Sequence, residues 1–313
     1  MRKRFSIVIV HRNGVEDLLQ ALRHLMQACD PALDEVILVD NGSSDASLAE
    51  VAARYPQVIV IANGCNNGFA GACNQGIARA EGDYILLLNN DAFLPSDALV
   101  RLESRLREYP AAGIIAGQLY GEDGERQRSH GYAPTVLSEM GLVRRKPLPV
   151  TGGQPVDVET VVGACMAVRR AAIEDAGALD KDFFFYFEET EWCVRLRRKG
   201  WRILLDPALR ITHLKGASTR AYRQEAQIEM LRSRLLYYRK VFSPLVAAGL
   251  SAWRILRLIF NVLTHGLWVL LTLGLAVRLR GKFLTYLRLL AWLAAGRPES
   301  WGLPDKCPAA VRG

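Results

Sequence analysis

The sequence predicts an α/β fold in which an open, twisted, mostly parallel sheet is flanked by helices and followed by an apolar and basic helical extension. Short apolar runs alternate with helical patterns over residues 5–91 and are joined by short links, which is typical of parallel sheets with right-handed crossovers. The charge also changes along the chain: residues 1–191 hold 27 acidic and 18 basic side chains, whereas residues 192–313 hold 5 and 22. We therefore expect a domain over residues 1–240 and a helical tail over residues 241–313.

The predicted strands are continuous β-branched or leucine-rich runs, as expected when both faces of a parallel sheet are buried. They occupy residues 5–10, 35–40, 58–61 and 84–88, and the helical patterns between them cover residues 15–28, 45–55 and 68–80. His11, Asp40 and the polar cluster at residues 89–91 each follow a strand. Because ligands bind at the carboxyl ends of such strands, these side chains are predicted to share one crevice.

The second half of the domain has weaker patterns. Residues 120–160 are rich in Gly, Pro and Arg and lack periodicity, so we expect a variable flap with short strands. A strand over residues 161–168, a helix over residues 187–199 ended by Gly200, and a strand over residues 201–205 complete the predicted domain.

The tail contains its most apolar stretch at residues 258–277, with basic residues on both sides. A helix of that length, about 30 Å, reaches across a bilayer core, but positive charge on both flanks gives no orientation. The next stretch, residues 283–295, is too short to span. We expect helices that lie on or dip into an anionic membrane surface; one true span, and a soluble dimer surface forming a homodimer, are the alternatives.

Composition and motifs exclude several classes of protein. The 313 residues are 50% hydrophobic and 23% charged, which excludes disorder and fibrous repeats. A Rossmann dinucleotide site needs G-x-G-x-x-G after the first strand, but residues 11–16 contain a single glycine, Gly14. We also expect no nucleic-acid partner. The six cysteines form neither a C-x-x-C pair nor a Cys/His cluster, so we expect reduced thiols in a cytoplasmic protein rather than zinc or disulfides.

Three polar features at strand ends each allow a structural and a functional interpretation. Asp40 is either a turn former or the acceptor for the ring N–H of a uracil or thymine base. The cluster Asn89, Asn90 and Asp91 is either a turn or part of a divalent-metal site, since Asp91 offers a carboxylate to a hard cation. His213 follows the last predicted strand and is either structural or a second metal ligand.

Five consecutive aromatic residues, 183–187, are followed by the acids Glu188, Glu189 and Glu191. An ordinary helix start explains acids in a first turn, and Glu191 with Arg195 fits an exposed pair one helical turn apart. A carboxylate beside an aromatic wall is partly desolvated, which raises its pKa toward that of a general base. Glu188 and Glu189 are therefore candidate bases.

Taken in chain order, the motifs form a specific combination. They are residues 6–13, 39–45, 66–74, 88–91, 163–166 and 184–192, followed by His213. Together they resemble family 2 glycosyltransferases of the GT-A fold, and more narrowly the bacterial rhamnosyltransferase-like branch that builds cell-surface polysaccharides. The resemblance covers residues 4–240.

The resemblance implies a role for each of these residues. Glu189 corresponds to the catalytic base with Glu188 as its neighbour, and Asp91 is the retained acid of the family's D-x-D metal motif. Asn89 stands at the first acidic position of that motif, which lowers the expected metal affinity, and His213 corresponds to a later metal ligand. Nucleotide-sugar binding is implied for Val10, His11, Asn13, Asp40, Asn41, Ser43, Asn67, Gly68, Asn74, Asn89 and Asn90.

The resemblance also implies the reaction, an inverting sugar transfer by a Glu base with the help of Mn²⁺ or Mg²⁺; an imidazole ligand favours Mn²⁺. The expected donor is dTDP-L-rhamnose. The expected acceptor is a cell-surface glycan or a lipid-linked glycan, reached at the cytoplasmic face of the plasma membrane and contacted by the flap. A UDP-sugar donor, direct transfer to polyprenyl phosphate and a non-catalytic nucleotide-sugar binder stay open as alternatives.

Overall fold

The computed structural model describes residues 3–146, 150–214 and 222–308. Within them the strands are β1 (Phe5–His11), β2 (Glu35–Asn41), β3 (Ile59–Asn63), β4 (Tyr84–Asn89), β5 (Ala92–Phe93), β6 (Ala112–Tyr120), β7 (His130–Gly131), β8 (Val156–Asp157), β9 (Thr160–Val161), β10 (Cys165–Arg169) and β11 (Arg202–His213). The helices are α1 (Val15–Ala28), α2 (Ser47–Arg54), α3 (Gly68–Arg79), α4 (Ala98–Glu108), α5 (Val136–Met140), α6 (Arg170–Ala176), α7 (Glu188–Arg198), α8 (Arg223–Val241), α9 (Pro244–Leu271) and α10 (Val277–Ala294).

Nine of the described strands form one mixed sheet in the order β3-β2-β1-β4-β10-β6-β11-β5, with β8 paired to β11. Neighbours among β3, β2, β1 and β4 are parallel, and β11 is parallel to β6. β10 runs antiparallel to both of its neighbours, and β7 pairs separately with β9. The predicted α/β fold, with a mostly parallel sheet flanked by helices, is confirmed.

Both faces of the sheet are buried, which is why its strands are continuous apolar runs. In β1, Ile7 and Ile9 belong to the core that contains the leucines of α1 and α4. Val8 belongs to the core on the other face, where Gly76 of α3 leaves room for its side chain. A one-residue slip of β1 would exchange the two cores, so the register is fixed. The carboxyl ends of β1, β2 and β4 consequently lie together at one edge.

The last strand is longer than the sequence predicts. The run at residues 201–205 stops where the pairing with β6 shifts register between Asp206 and Arg210, and β11 then continues to His213. An irregularity of this kind breaks the apolar pattern without ending the strand. His213 is therefore the last residue of a strand.

The flap at residues 120–160 contains the short strands β7 and β8, as expected, and also the short helix α5. α5 begins at a capping box in which Thr135 and Ser138 exchange side-chain and backbone hydrogen bonds. Residues 147–149 within the flap lie outside the described residues. The pairing of β7 with β9 attaches the flap to the segment that leads into the crevice.

The tail packs as a helical bundle against the domain. α8, α9 and α10 share a core that includes Tyr237, Leu250 and Trp292, and Phe183 of the domain belongs to the same core. The expected division after residue 240 falls one residue before the end of α8, within this bundle.

The apolar stretch at residues 258–277 is not one helix, so the expected bounds are wrong. α9 ends at Leu271, and Leu273 and Gly274 adopt left-handed backbone conformations in the turn before α10. Among the described helices, α9 is long and apolar enough to cross a membrane: its most apolar 18 residues have a mean hydropathy of 1.5, and 17% of them are buried. Length and composition suit a span and a surface helix equally.

The cysteines contradict the expectation of reduced thiols throughout. Cys65 and Cys307 form a disulfide, while Cys29, Cys73, Cys165 and Cys193 are free. The two bonded cysteines are 242 positions apart, so no spacing motif in the sequence predicts that they pair. They meet only because the segment before Cys307 returns to the loop between β3 and α3.

Candidate active site

The carboxyl ends of β1, β2 and β4 open into a cavity of about 280 Å³, which we call the donor cavity. Its lining residues come from strand ends, from the turn before α7 and from the far end of the chain. They include Val10, Arg12, Asn41, Asn66, Phe69, Asn89, Asn90, Gly163, Phe184, Glu188, Glu189 and Leu303. Of the predicted site residues, the fold thus brings Val10, Asn41, Asn89 and Asn90 at the strand ends together with Glu188 and Glu189 at the start of α7.

Asp40 is buried at the end of β2 and keeps an unused acceptor. Its Oδ2 accepts a hydrogen bond from the backbone N–H of Ser43 at 3.1 Å. Its Oδ1 is buried and has no hydrogen-bond partner within the described residues. An unpaired buried carboxylate oxygen is costly, so a ligand N–H at this position would stabilise the site.

Two loops beside Asp40 are fastened to one another. The Asn13 backbone N–H donates to the Ser43 hydroxyl at 2.9 Å, and the backbone N–H of Ser44 donates to the Asn13 side chain at 2.8 Å. Asn13 adopts a left-handed conformation, with φ of 57°, which asparagine tolerates. Asn13 and Ser43 therefore shape the loops that follow β1 and β2.

An asparagine network holds the loop before α3. The Asn41 side-chain amide donates to Asn66 Oδ1 at 2.9 Å and to the Gly68 carbonyl at 3.1 Å, and Asn41 Oδ1 accepts from the Asn67 backbone N–H at 2.8 Å. Gly68 has φ of 76°, and a Cβ there would lie 2.6 Å from the Phe184 carbonyl oxygen. Only glycine fits this position. Asn66 is a site residue that the sequence did not predict.

Asn74 is not brought into the cavity. Its side-chain amide donates to the Leu179 carbonyl at 2.7 Å, and its Oδ1 accepts from the Leu179 backbone N–H at 3.1 Å. Both ends of the amide therefore fix a loop between β10 and α7. In this position Asn74 supports the wall of the site instead of facing it.

His11 is a buried, neutral connector below the cavity. The Asn90 amide donates to His11 Nδ1 at 2.9 Å, so Nε2 carries the proton and donates to the Ser47 hydroxyl at 2.8 Å. Burial lowers the pKa of His11, against the opposing effect of the Asp40 and Asp45 carboxylates. His11 thereby orients Asn90, which lines the cavity.

Asp91 and His213 face one another, and we call them the ligand pair. His213 Nε2 lies 3.4 Å from Asp91 Oδ1 and is buried without a hydrogen-bond partner among the described residues. His213 Nδ1 lies 3.2 Å from Gln127 Oε1, which can only accept, so Nδ1 carries the proton and Nε2 presents a lone pair. Gln127 also donates to the His213 carbonyl at 2.8 Å. No pattern in the sequence predicts Gln127 at this position, since it belongs to the flap.

This pair fits two protein ligands of a divalent cation. A carboxylate oxygen and an imidazole nitrogen suit Mn²⁺ better than Mg²⁺, and a hydrogen bond such as that to Gln127 is the usual way to orient a ligating histidine. Within residues 3–146, 150–214 and 222–308, no group of three or more His, Cys, Asp or Glu side chains could hold a metal ion. The remaining ligands would have to come from water or from a bound substrate.

Glu188 and Glu189 begin α7 and form the acid pair. Burial raises the pKa of Glu188 well above its ordinary value, and the neighbouring Glu189 raises it further. Burial also raises the pKa of Glu189, while backbone N–H groups of the helix start and Arg128 oppose that rise. The Oε2 atom of each is buried without a hydrogen-bond partner in the described part of the chain. Two such carboxyls favour sharing one proton.

The turn before α7 sets the position of these acids. Tyr186 and Phe187 both adopt left-handed backbone conformations, with φ of 70° and 69°. Strained non-glycine residues of this kind cluster at functional sites. Glu189 also lines a second cavity of about 400 Å³ together with Arg128, His130 and His213. Glu189 therefore lies between the two cavities, whereas Glu188 lines only the donor cavity.

Glu191 is not the exposed residue that the sequence predicts. It is 7% exposed, and its carboxylate accepts from Arg195 at 3.0 Å. The Arg195 guanidinium also donates to the carbonyls of Ala176 and Ala178. The pair therefore ties α7 to the end of α6.

A segment from the far end of the chain closes the donor cavity; we call residues 302–308 the strap. The Asn66 backbone N–H donates to the Asp305 carbonyl at 2.7 Å, and the Cys307 N–H donates to the Asn66 carbonyl at 2.9 Å. Asp305 pairs with Arg12, and Lys306 pairs with the fully buried Glu229. No pattern in the sequence predicts that the strap lies over this cavity.

The chain is similar to known glycosyltransferases. The model of the family described as Glycosyl transferase family 2 matches residues 6–177, more than half of the chain. An N-acetylglucosaminyl-diphospho-decaprenol L-rhamnosyltransferase of Mycobacterium tuberculosis is 27% identical over 207 residues, covering 59% of this chain and 67% of the relative. The dTDP-rhamnosyl transferase RfbF of Shigella flexneri is 26% identical over 217 residues, covering 68% of this chain and 69% of the relative.

Among solved structures, the crystal structure of GalNAc-T7 with UDP, GalNAc and Mn²⁺ matches with a TM-score of 0.54 at 18% identity. The match covers 68% of this chain and 44% of that chain, so this chain spans less than half the length of that protein. A likeness at this identity concerns the fold.

Proposed function

The chain belongs to glycosyl transferase family 2, and from that membership we propose that it transfers L-rhamnose from dTDP-L-rhamnose to a lipid-linked glycan at an anionic membrane surface. Membership confirms the predicted resemblance, the GT-A-like fold and a glycosyltransferase activity. The observation that carries the finer proposal is the position of Glu189, a half-buried acid with a buried Oε2 that lines two adjoining cavities. Donor and acceptor would meet at this residue.

The donor fills the cavity at the carboxyl ends of β1, β2 and β4. The unpaired Oδ1 of Asp40 accepts the ring N–H of the base, and thymine and uracil both offer that donor. We favour dTDP over UDP, because two relatives carry names of rhamnosyltransferases and one of them is named a dTDP-rhamnosyl transferase. Asn41, Asn66 and Gly68 hold the loop along which the nucleotide-sugar lies.

Asp91 and His213 hold a divalent cation, with Mn²⁺ favoured by the imidazole ligand and by the Mn²⁺ bound in the GalNAc-T7 structure. When bound, the cation neutralises the charge of the leaving diphosphate. Gln127 keeps the proton of His213 on Nδ1, so that Nε2 stays available as a ligand. Asn89 lines the cavity at the start of this motif and adds no charge.

Glu189 accepts the proton of the acceptor hydroxyl, whose oxygen forms a bond to the anomeric carbon while the sugar–diphosphate bond breaks on the opposite face. The configuration of the anomeric carbon is inverted, and dTDP is released. A raised pKa makes the Glu189 carboxylate a stronger base than a solvated glutamate. Burial and the neighbouring Glu189 raise the pKa of Glu188, so the two acids share one proton and oppose the donor diphosphate with less negative charge than two free carboxylates would. A non-catalytic sugar binder would not need this pair.

The tail brings the enzyme to its lipid-linked acceptor. α9 exposes an apolar stripe with spacings of three and four residues, and each side chain is 57% to 66% exposed: Leu256, Phe260, Leu263, Leu267 and Leu271. Basic side chains flank it, including Arg254 and Arg280. An apolar stripe with basic flanks favours the surface of an anionic membrane, and we place the chain at its cytoplasmic side. A homodimer through the same helices stays a prediction.

The test is a donor panel with the full chain, Mn²⁺ and N-acetylglucosaminyl-diphospho-polyprenol as acceptor. We expect transfer from dTDP-L-rhamnose to exceed transfer from UDP-glucose or UDP-N-acetylglucosamine, with inversion of the anomeric configuration detected by NMR. Turnover with UDP-sugars alone would overturn the donor assignment. Tight dTDP binding without transfer to the lipid-linked glycan, polyprenyl phosphate or free glycans would leave only a nucleotide-sugar binder.

A further inference from the structure

A third cavity, of about 270 Å³, lies among α8, α9 and α10. We call it the arginine cavity, because it is lined by Arg234 of α8 and by Arg254 and Arg257 of α9. The rest of its wall is mostly apolar and includes Met230, Leu231, Ile255, Leu258, Leu289 and Leu293. None of these residues lines the donor cavity.

The three guanidinium groups have too little negative charge around them. The Nε of Arg234 is buried without a hydrogen-bond partner among the described residues, and Nη1 of the same guanidinium lies 3.7 Å from Oε2 of Glu139. That carboxylate also accepts the hydroxyl of Tyr238. Within the described parts of the chain, neither Arg254 nor Arg257 lies within 4.0 Å of a carboxylate. A buried N–H without a partner favours an anionic ligand, and the half-exposed Arg254 and the exposed Arg257 add positive charge at the rim of the cavity.

The walls and the surroundings favour the head group of a lipid over a free anion. Apolar side chains form most of the cavity surface and would contact the first carbons of a hydrocarbon chain. The apolar stripe defined above belongs to α9, the helix that supplies two of the arginines. A helix is about 10 Å wide, so an anion in the cavity would lie about one helix diameter from the bilayer into which its chain extends.

The arginine cavity is also connected to the acid pair. The Arg234 guanidinium lies 5.3 Å from the centre of the Phe187 ring, and Phe187 directly precedes Glu188. The Ser233 hydroxyl, on the same helix, donates to the Phe185 carbonyl at 2.7 Å. A ligand in the cavity would therefore lie next to the turn that carries the catalytic glutamates.

We propose that the arginine cavity binds the diphosphate of a polyprenyl-diphosphate-linked acceptor, so that the attached sugar extends toward Glu189. The proposal rests on the proposed function and adds to it the site that recognises the lipid carrier. Three guanidinium groups and one carboxylate match the two or more negative charges of a diphosphate better than the single charge of most phospholipid head groups. Bidentate guanidinium–phosphate bonds supply the geometry.

The first experiment is a binding measurement that does not depend on catalysis. Geranylgeranyl diphosphate serves as the probe, and its affinity for the full chain is measured in detergent for the native protein and for Arg254→Gln/Arg257→Gln. We expect the double substitution to weaken binding about tenfold to a hundredfold, because it removes two charge-assisted contacts. The matched control is Arg278→Gln/Arg280→Gln, which removes the same charge from exposed positions of α10 outside the cavity and leaves binding unchanged.

Two further probes separate the sources of the anion. Inorganic diphosphate bound as tightly as the lipid diphosphate would overturn the assignment to a lipid carrier, and so would phosphatidylglycerol vesicles that compete with the probe at equal phosphate concentration. Equal affinity of both double variants for the probe would overturn the site itself. Arg234→Lys, which keeps the charge and loses the planar donors, gives a second test if the double variant unfolds: we expect weaker probe binding with unchanged helical circular dichroism.

The second experiment measures transfer. We expect Arg254→Gln/Arg257→Gln to raise KM for the diphosphate-linked acceptor about tenfold while KM for the donor and turnover with a water-soluble acceptor glycoside stay unchanged. Absence of transfer by the native protein, together with probe binding that depends on the arginines, would remove the proposed function and keep the lipid site. Transfer with an unchanged KM for the lipid acceptor in the variant would remove the lipid site alone.

Discussion

The acid pair and the ligand pair lie close to one another, yet they are suited to hold different species. Glu188 and Glu189 are neighbouring acids that line one cavity with Phe184 and Phe185, and burial raises the pKa of both. Asp91 and His213 place a carboxylate oxygen opposite a bare imidazole nitrogen. Burial that outweighs the nearby positive charge of Arg128 creates a proton acceptor, whereas a carboxylate oxygen opposite an imidazole nitrogen creates a cation site. Two adjoining buried pairs can thus perform the two halves of one transfer.

The largest effect is expected from the acid pair. Glu189→Gln keeps the size of the side chain but cannot accept a proton as a carboxylate does. We expect kcat to fall about 10²–10⁴-fold, the usual contribution of a general base, while the Kd for dTDP is unchanged. Steady-state kinetics and calorimetric dTDP binding measure the two quantities.

Glu188→Gln is the matched control for this substitution, because it changes the neighbouring acid in the same way. A turnover that survives in Glu189→Gln and is lost in Glu188→Gln would transfer the role of the base to Glu188. Near-normal turnover in both variants would show that the acid pair has no catalytic role and only begins an ordinary helix.

Substitution of the ligand pair should change how strongly the activity depends on the metal ion. His213→Ala removes the nitrogen ligand, and we expect the Mn²⁺ concentration for half-maximal activity to rise by about tenfold or more. Mn²⁺ binding to the dTDP-loaded protein, followed by calorimetry, gives a readout independent of turnover. His130→Ala changes another imidazole of the same cavity and should leave Mn²⁺ binding intact. Full activity in EDTA would disprove the cation site.

The pH dependence of kcat tests how the two acids of the acid pair influence one another. Because burial raises the pKa of Glu189, the acidic limb of kcat should lie at a higher pH than a solvated glutamate would give. In Glu188→Gln the like charge is gone, so Glu189 should ionise more easily and the limb should move to lower pH. A limb that does not move in this variant would show that the two acids titrate independently.

The raised pKa values of Glu188 and Glu189 also affect the stability of the fold. A carboxyl whose pKa is raised in the folded state stabilises the fold below its unfolded pKa, and that contribution is lost as pH rises through the folded pKa. Both acids of the pair therefore cost stability at neutral pH. A loss of stability is expected at a functional site, because the strained and buried groups that lower stability are the ones that the reaction uses.

Much of the donor side could be predicted from the sequence, because local physics determines it. Continuous apolar runs identify β1, β2 and β4, and parallel pairing brings their carboxyl ends together. Asp40, Asn41 and Asn90 lie at these ends, so their places follow from chain order alone. Resemblance to the family singled out Glu189, which the residue pattern alone does not distinguish from Glu188.

The missed features depend on contacts that are distant in sequence. Gln127 meets His213 across 86 positions, and Cys65 meets Cys307 across 242. Glu191 fits the pattern of an exposed helical pair, but the loop after α6 covers it. No local pattern records such packing, since burial depends on which segment returns to cover a surface.

The smallest effect is expected from the strap, which contacts neither pair. Removing the disulfide with Cys307→Ser leaves the bonds of Asn66 to Asp305 and Cys307 as the main backbone link between the strap and the donor loop. We expect KM for the donor to rise about threefold to tenfold, the equivalent of roughly 1 kcal/mol, with kcat and the pH profile unchanged. Cys29→Ser removes a free thiol away from the strap and is the control.

Treatment of the native protein with a reductant should reproduce the Cys307→Ser value, since both break the same bond. If neither changes KM for the donor, the strap is a structural tie that does not influence the cavity. If kcat falls as well, the donor loop and the acid pair are coupled through Phe184, whose carbonyl accepts the Phe69 backbone N–H at 2.8 Å. The donor loop would then influence both nucleotide binding and the chemical step, so KM for the donor and kcat could not be changed separately.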